Sequence, residues 1–584
     1  MIFRTFLSGA LVLVGSVHAA PSGQDWDSMN NTLGGRLRPV TPLALPCFSN
    51  FNGKSVAARP DLCSAVQRQY TSPPFLTDQF EAYEETQSEA CATVPNQQCL
   101  LDSTNPFNAA AYTNVSCNRG SLPSYSIQVN TADDVNNAFK FASRTKATIS
   151  IKNTGHDYNG RSSGPGSLSL WTRKLQNLDY QPSFVPQGCK YQKGITAITV
   201  GAGVNFDQVY SFANEKGVTY VGGSAPTVGA SGGWLMTGGH GILTRAYGLG
   251  VDRVLQYEVV TPDGVRRIAN SCQNQDLFWA LRGGGGATFG VVLSSTSRVE
   301  PKLPLSAAFI SLPSNVSAQT QAVYLDLLVN STIKWADEGW GGFLGSGVSF
   351  VATPLLSLAE AKASMANLVS FAEANGGSAI VEADPDFYSV YTKYAVPTAQ
   401  PGGSATFSHN WLIPSQAYAT QKGRRQLRDH MDWMSSVGLT PGFLATTPYL
   451  YSGNGSSKAK AYAYGPPDST STTGAWRNSA ALLIAQTGWT YNASVGDKKD
   501  VARLLTEASD RAQKLWPNSG AYANEAHPWI NDWQSAFWGN NYKRLVQLKH
   551  RYDPGNLLGC WHCVGSEKSR NAEVVGGSCL GRLI

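Results

Sequence analysis

The stretch IKNTGHDYNGRSSG, residues 151–164, sets one histidine and one aspartate, His156 and Asp157, among glycines just where a β-prone run ending at Ile151 stops. Two more glycine clusters follow, GGSAPTVGASGGWLMTGGHG at 222–241 and GGGGATFG at 283–290, each after a strand-like or apolar segment. Glycine costs conformational entropy, so such density marks backbone that must bend or approach something where side chains would obstruct. Successive amides in such loops form nests for anionic oxygens. Three nests in one region suit a large ligand carrying a diphosphate. An imidazole placed among them is a good nucleophile near neutral pH. Tight turns in a compact β-rich region would call for the same glycines.

The elements around these loops alternate. SYSIQVN reads as a strand, and TADDVNNAFKFASRT as a helix with Thr131 as N-cap and acidic residues in its first turn. ATISIKN and AITVGAGV read as strands, NFDQVYSFANEKG as a helix ending at Gly217, and VTYVGG as a strand. LQYEVVTPDGVRRIA reads as a hairpin turning at Pro262-Asp263-Gly264. Residues 121–300 therefore form a binding domain of mixed strands and helices. Over 301–530, the strand-like AAFISLP, GGFLGSGVSFVATP, SATFSHNWLIP and SAALLIAQTGW alternate with the helical SLAEAKASMANLVSFAEANG and KKDVARLLTEASDRAQKLW. That pattern predicts an antiparallel sheet with helices on one face. Residues 531–584 hold one helix, NYKRLVQLKHRYDP, and a cysteine-rich tail, while 20–120 read as a loop-rich, cysteine-rich cap with short helices.

A chain of 584 residues is too long for one core. Its net charge of +6 is spread out, and the densest basic group, KGRRQLR at 422–428, carries no interleaved aromatics. Nucleic-acid binding is disfavoured. Residues 1–19 read as a secretory signal, with Arg4 before an apolar run from Phe6 to Val17 and VHA before Ala20. No later stretch is apolar enough to span a bilayer, so no membrane association is expected. Export agrees with ten cysteines, an even number, five of them within 47–117. Most or all should pair, in a connectivity the sequence leaves open. Asn30, Asn114, Asn315, Asn330, Asn454 and Asn492 begin Asn-x-Ser/Thr acceptors, so glycosylation is expected in a eukaryotic host.

Three short motifs are decoys. GASGG at 229–233 fits a serine-hydrolase elbow but lacks the strand before it and the helix after it. CWHC at 560–563 has no second ligand pair nearby for a structural zinc, so no metal is expected. FNGKS at 51–55 lacks the leading glycine of a phosphate-binding P-loop.

SIKNTGHDYNGRSS resembles the diphosphate loop of the berberine-bridge-enzyme-like flavoproteins, in the vanillyl-alcohol-oxidase and PCMH superfamily. GGSAPTVGASGGWLMTGGHGILTRAYGLGVDRVLQYEVVTPDG is similar to that family's second FAD loop, DLFWALRGGGGATFGVV (276–292) to its third signature, and NYKRLVQLKHRYDPGNLL (541–558) to its C-terminal motif. All four stand in family order, and the nearer resemblance is to secreted fungal members of the isoamyl-alcohol-oxidase-like group. The resemblance implies an α+β fold, with a two-lobed PCMH-type FAD-binding domain and a substrate domain whose antiparallel sheet is covered by helices. It implies FAD held by one covalent link, from His156 to the 8α carbon of the flavin. Asn153, Thr154, Gly155 and the run Asp157, Tyr158, Asn159, Gly160, Arg161 and Ser162 would bring N–H and hydroxyl donors to the diphosphate. Gly223, Ala225, Thr227, Gly229, Gly232, Gly233, Gly239, His240 and Gly241 would serve the cofactor from the second loop, with Val291 and Asn541 from the later motifs. His240 would line the flavin or pack structurally. Doubly tethered members carry cysteine at the position of Ala225, so a second link to the flavin is not expected.

In place of the family's YxNY stretch this chain reads AYANEAHPW at 521–529, with Tyr522 and Asn524 kept and Glu525 replacing the second tyrosine. Glu525 is the candidate base for a substrate hydroxyl, with Tyr522 as competitor. The function implied is a secreted, monomeric oxidase that takes a small-molecule alcohol, or a related C–H bond, and passes electrons to dioxygen with release of hydrogen peroxide. Alternatives are a secondary-metabolite flavoenzyme performing dehydrogenation or oxidative ring closure, and a non-catalytic secreted binding glycoprotein. The aromatics of DFYSVYTKY (386–394) suit either stacking on a substrate or the core.

Overall fold

A computed structural model describes residues 21–190, 193–345, 347–448 and 468–584. The expected signal segment and the acceptor Asn454 lie outside the described residues. Two sheets form the lobes of the N-terminal half. The first has the order Leu37–Pro39, Tyr125–Gln128, Leu168–Trp171, Ile149–Lys152, with the last three strands parallel. The second is antiparallel, ordered Arg266–Asn270, Val254–Val260, Val291–Arg298, Ile195–Gly201, Leu178–Phe184. The helix Ala132–Thr145 starts where its local chemistry dictates, because the Thr131 hydroxyl accepts from the Asp134 amide in a capping box. Its apolar face, including Val135, Phe139 and Ala142, is buried with Ile149, Leu168 and Leu170 of the first sheet. The stretch VTYVGG gives only the short strand Val218–Thr219 before the chain turns into the second glycine loop.

The C-terminal half is one seven-stranded antiparallel sheet, ordered Ser378–Asp384, Leu305–Ser311, Val348–Thr353, Gly341–Gly345, Gly442–Leu444, Ser479–Trp489, Ala405–Pro414. The helices Ala318–Asp337, Leu358–Ala374, Gln421–Ser436 and Val495–Leu515 accompany it, and the first and third of these carry no sequence signal used above. The largest buried cluster is continuous across both halves, joining Leu235, Tyr257 and Phe278 to Trp411, Leu483, Trp538 and Leu545. Phe387, Tyr391 and Tyr394 are buried in a second cluster, so these aromatics of the 386–394 stretch pack in the core.

All ten cysteines are paired, as Cys47–Cys63, Cys91–Cys579, Cys99–Cys117, Cys189–Cys272 and Cys560–Cys563. The cap is thus stapled within itself twice, and Cys91 ties it to the C-terminal tail. Ala92 and Thr93 also donate their amides to the Cys579 carbonyl, at 2.8 and 3.3 Å. Replacing Cys91 and Cys579 together by serine should cost about 2–5 kcal/mol of stability. Denaturant unfolding measures it, and an unchanged midpoint would contradict it.

Three buried histidines cluster together: His409 on the strand Ala405–Pro414, His430 on the helix Gln421–Ser436, and His527. His409 Nδ1 and His527 Nε2 share the Ser509 hydroxyl, at 3.1 and 2.8 Å, and the His430 ring stands 6.0 Å from that of His409. Burial, aided by Arg511, pushes His430 down to about 4; burial pushes His527 down to about 3 and His409 well below its ordinary value. All three are therefore neutral when folded and take a proton near 6.5 when unfolded. The unfolded chain binds more protons between these limits, so stability rises with pH there and falls as pH drops below about 6.5. Thermal unfolding from about pH 7 to pH 4 should show Tm falling, with a shallower slope in His430→Gln.

Candidate functional site

The chain leaves the strand Ile149–Lys152 and bends at Gly155, whose φ of +101° favours glycine. The loop then curls around its own aspartate. Asp157 accepts the amides of Asn159, Arg161 and Ser162 at 3.2, 3.0 and 2.7 Å, and the Ser162 hydroxyl at 2.6 Å. The Asp157 amide goes to Glu85 at 2.6 Å. These donors, expected at a diphosphate, are consumed inside the protein. Among the described residues of this loop from Thr154 to Ser162, the amides of Thr154, Gly155, His156, Tyr158 and Gly160 make no hydrogen bond to protein groups, and all of these residues but Gly160 line the cavity.

The second loop is held by Asn153, whose side-chain amide donates to the carbonyls of Ala202 and Ser231 at 2.6 and 2.8 Å. A Cβ at Gly229 would stand 2.7 Å from that amide, and one at Gly232 2.9 Å, so these glycines permit the two loops to meet. Residues 521–526 close the third side. Asn159 donates to the Ala523 and Asn524 carbonyls at 3.3 and 3.1 Å, Arg161 Nη1 to Ala523 at 2.9 Å, and Asn524 to the Gly233 carbonyl at 3.1 Å.

These loops enclose a cavity of about 870 Å³. Of the residues nominated from sequence, Asn153, Thr154, Gly155, His156, Asp157, Tyr158, Asn159, Arg161 and Ser162 line it. So do Ala225, Thr227, Gly229, Gly232, Gly233, Tyr522 and Glu525. The others lie elsewhere. Gly160 packs on Leu580 and Gly576 of the tail. Gly223 lies against the Phe206 and Trp234 rings, Gly239 against Trp234, and Gly241 against the Gly222 carbonyl. Val291 is buried in the core of the first lobe, its neighbour Val292 reaching the cavity instead. Asn541 donates to the Thr472 carbonyl at 2.9 Å. His240 sits behind the wall, with its Nε2 3.0 Å from Glu525 Oε1 and its ring 4.8 Å from that of Tyr522. Glu525 Oε2 is buried without a partner.

Sequence reasoning missed the cap's contribution. Glu84 and Glu85 line the cavity, as do Gln400, Ser404, Thr406 and Gln486 from the large sheet and its approach. Glu85 Oε1 stands 3.8 Å from His156 Nδ1, and His156 Nε2 hydrogen-bonds the Thr227 hydroxyl at 2.7 Å. Burial works against a charged His156, but Glu85 and then Glu84 outweigh it and hold the imidazole above its ordinary value. Burial, with the Glu85 charge, pushes Glu84 up to about 7, the His156 charge opposing. Burial, then the Glu525 charge, keeps the Tyr522 phenol far above its ordinary value, so it stays protonated. The run FEAYEETQSEA, acidic within a loop-rich segment, was the available signal for Glu84 and Glu85.

The wall fits FAD. Burial lowers Arg161 only to about 10, so it is a cation, and its hydrogen bonds go to the Trp561 and Ala523 carbonyls, leaving its charge for a diphosphate. The buried Oδ1 atoms of Asn153 and Asn159 have no partner, as acceptors for ribityl or ring donors would require. A Cβ on Gly233 would meet no protein atom within 4 Å and would stand in the cavity.

Residues 123–269 match the family model of the FAD binding domain, and 521–561 that of berberine and berberine like proteins. FAD-linked oxidoreductase ffsJ of Aspergillus flavipes is 58% identical over 99% of both chains. The VAO-type flavoprotein MtVAO615 from Myceliophthora thermophila C1 has a solved structure that superposes with a TM-score of 0.77 at 28% identity, covering 95% of this chain and 97% of its own. The glucooligosaccharide oxidase from Acremonium strictum, whose structure is described with a 6-S-cysteinyl, 8α-N1-histidyl FAD, shares the fold at 18% identity and a TM-score of 0.61, over 76% of this chain and 92% of its own. The chain belongs to the berberine-bridge-enzyme-like members of the vanillyl-alcohol-oxidase family, and it is an FAD-dependent oxidoreductase acting on a small molecule. No helix among the described residues is long and apolar enough to cross a membrane.

Proposed function

We propose that this oxidoreductase is a secreted, monomeric oxidase that removes a hydride and a proton from an alcohol, or a related C–H bond, and passes the electrons to dioxygen, releasing hydrogen peroxide. The carrying observation is Glu525: it lines the cavity, His240 fixes one of its oxygens, and the other has no partner. A carboxylate held so can accept a substrate hydroxyl proton. Tyr522, kept protonated and accepting from Asn524 Nδ2 at 2.9 Å, suits donation to the substrate oxygen rather than proton abstraction.

FAD, when bound, supplies the hydride acceptor. His156 would hold it covalently, with Arg161 and the Gly155, His156 and Tyr158 amides serving its diphosphate. The methyl of Ala225 in the cavity wall offers no thiol for a second link. Export is supported by the five disulfides. Pro73, Pro74, Val396, Ala399 and Pro401 give the cavity an apolar rim, which favours the reading of a bulky secondary metabolite as the alcohol over that of a sugar.

The test is turnover of the purified protein against alcohols, sugars and bulky natural products, read by peroxide release and by anaerobic bleaching of the flavin. A colourless protein, or a yellow one bleached by none of them, would leave the binding-glycoprotein reading in its place.

A further inference from the structure

A histidine nitrogen must shed its proton before it can bond to carbon, and the cap places a carboxylate at that nitrogen. Glu85 Oε1 faces His156 Nδ1 at 3.8 Å, while Glu85 Oε2 is fixed by the Asp157 amide at 2.6 Å. Glu85 is 4% exposed. Its segment is pinned on both sides, since the Glu84 amide donates to the Gly155 carbonyl at 3.0 Å and the Thr86 amide to the Ser404 carbonyl at 3.1 Å. Across the ring, Nε2 meets the Thr227 hydroxyl at 2.7 Å. The two ring nitrogens thus have chemically different partners, one a proton acceptor and one a hydroxyl that can accept a retained N–H.

We infer that Glu85 is the base with which the protein tethers its own flavin: it takes the proton from His156 Nδ1 while Thr227 keeps Nε2 protonated, so that Nδ1 forms the bond. The inference rests on the reading of His156 as the tether. The step balances. The N–H bond of His156 and one C–H bond of the flavin's 8α methyl break, and the N–C bond forms. The two protons and two electrons released reduce dioxygen to hydrogen peroxide by way of the ring. The charged groups facing His156 are Glu84 and Glu85, both from the cap. No later catalytic turnover needs this base, so its loss should be visible in assembly and not in FAD occupancy.

The experiment uses the full-length protein made under riboflavin starvation, then mixed with FAD in air and sampled over time. Covalent flavin is read as fluorescence of the acid-denatured chain on a gel, and total FAD by absorbance before denaturation. Glu85→Gln keeps an oxygen to accept the Asp157 amide, so FAD should bind to wild-type occupancy. Linkage should be about a hundredfold slower or more, and its rate should keep rising with pH where the wild-type rate has levelled. Glu85→Asp retains the carboxylate and should link faster than Glu85→Gln. If Glu85→Gln holds no FAD, Glu85→Ala with and without added acetate decides, with linkage restored by acetate supporting the inference and a wild-type rate without acetate overturning it. Linkage in Glu85→Gln at the wild-type rate overturns it while the tether reading stands. A wild-type chain with no denaturation-resistant flavin overturns both.

Discussion

Glu525→Gln is expected to slow flavin reduction by the substrate at least about a hundredfold, the lower end of what loss of a general base typically costs. The amide keeps the size of the side chain and can still accept from His240 Nε2, the contact that fixes Glu525 at 3.0 Å. FAD content and substrate binding should therefore stay near wild type, and the loss should fall on kcat and kcat/KM alike. Stopped-flow reduction under anaerobic conditions measures it. Tyr522→Phe removes a donor but no proton acceptor, and it leaves Asn524 without the phenol oxygen it bonds at 2.9 Å. Its effect should be smaller. Near-normal reduction in Glu525→Gln together with a large loss in Tyr522→Phe would transfer the base role to the tyrosine. His240→Gln is a useful companion, because it leaves the carboxylate and loosens its aim. If His240 positions Glu525, the variant should lose kcat while Glu525→Gln in the same background costs less than it does alone.

His156→Ala should abolish denaturation-resistant flavin completely. The chain has no cysteine at Ala225, and all ten cysteines are in disulfides, so no thiol stands ready to replace the link. The Gly155 and Tyr158 amides and the Arg161 cation are untouched by the substitution. FAD should therefore still bind, reversibly, and the native protein should remain yellow until acid or detergent releases the cofactor. Intact mass before and after denaturation distinguishes the cases. Retained flavin in denatured His156→Ala would eliminate the assignment, and a cysteinyl-flavin peptide from the wild type would contradict the single link.

Some of this was legible from the chain alone. The strand Ile149–Lys152 running into a loop with His156, the helix Ala132–Thr145 with its Thr131 cap, and the hairpin turning at Pro262 to Gly264 depend on residues a few positions apart. Alternation, capping and turn chemistry are written locally, so local reading finds them. The even cysteine count and the partial resemblance of 521–529 to the family's YxNY stretch, with Glu525 in place of the second tyrosine, were equally visible. The glycine clusters announced close approach of backbone, as Asn153 against Gly229 and Gly232 bears out.

Other features existed only once the chain had folded back on itself. That Asp157 turns inward and consumes the amides of Asn159, Arg161 and Ser162 follows from the loop's own curl, which composition does not encode. Glu85 meets His156 because a segment without periodicity is clamped between Gly155 and Ser404. His240 meets Glu525 across 285 positions of sequence, and Cys91 meets Cys579 across 488. Each is a long-range pairing fixed by how sheets, cap and tail pack, and a residue's type limits what it can bond to without saying what the fold will bring to it. The sequence by itself therefore determined the locally written elements and the loop histidine, and its family resemblance pointed to the class of ligand. Only the tertiary structure decided which donors face that ligand, which carboxylate addresses the histidine, and which histidine holds Glu525.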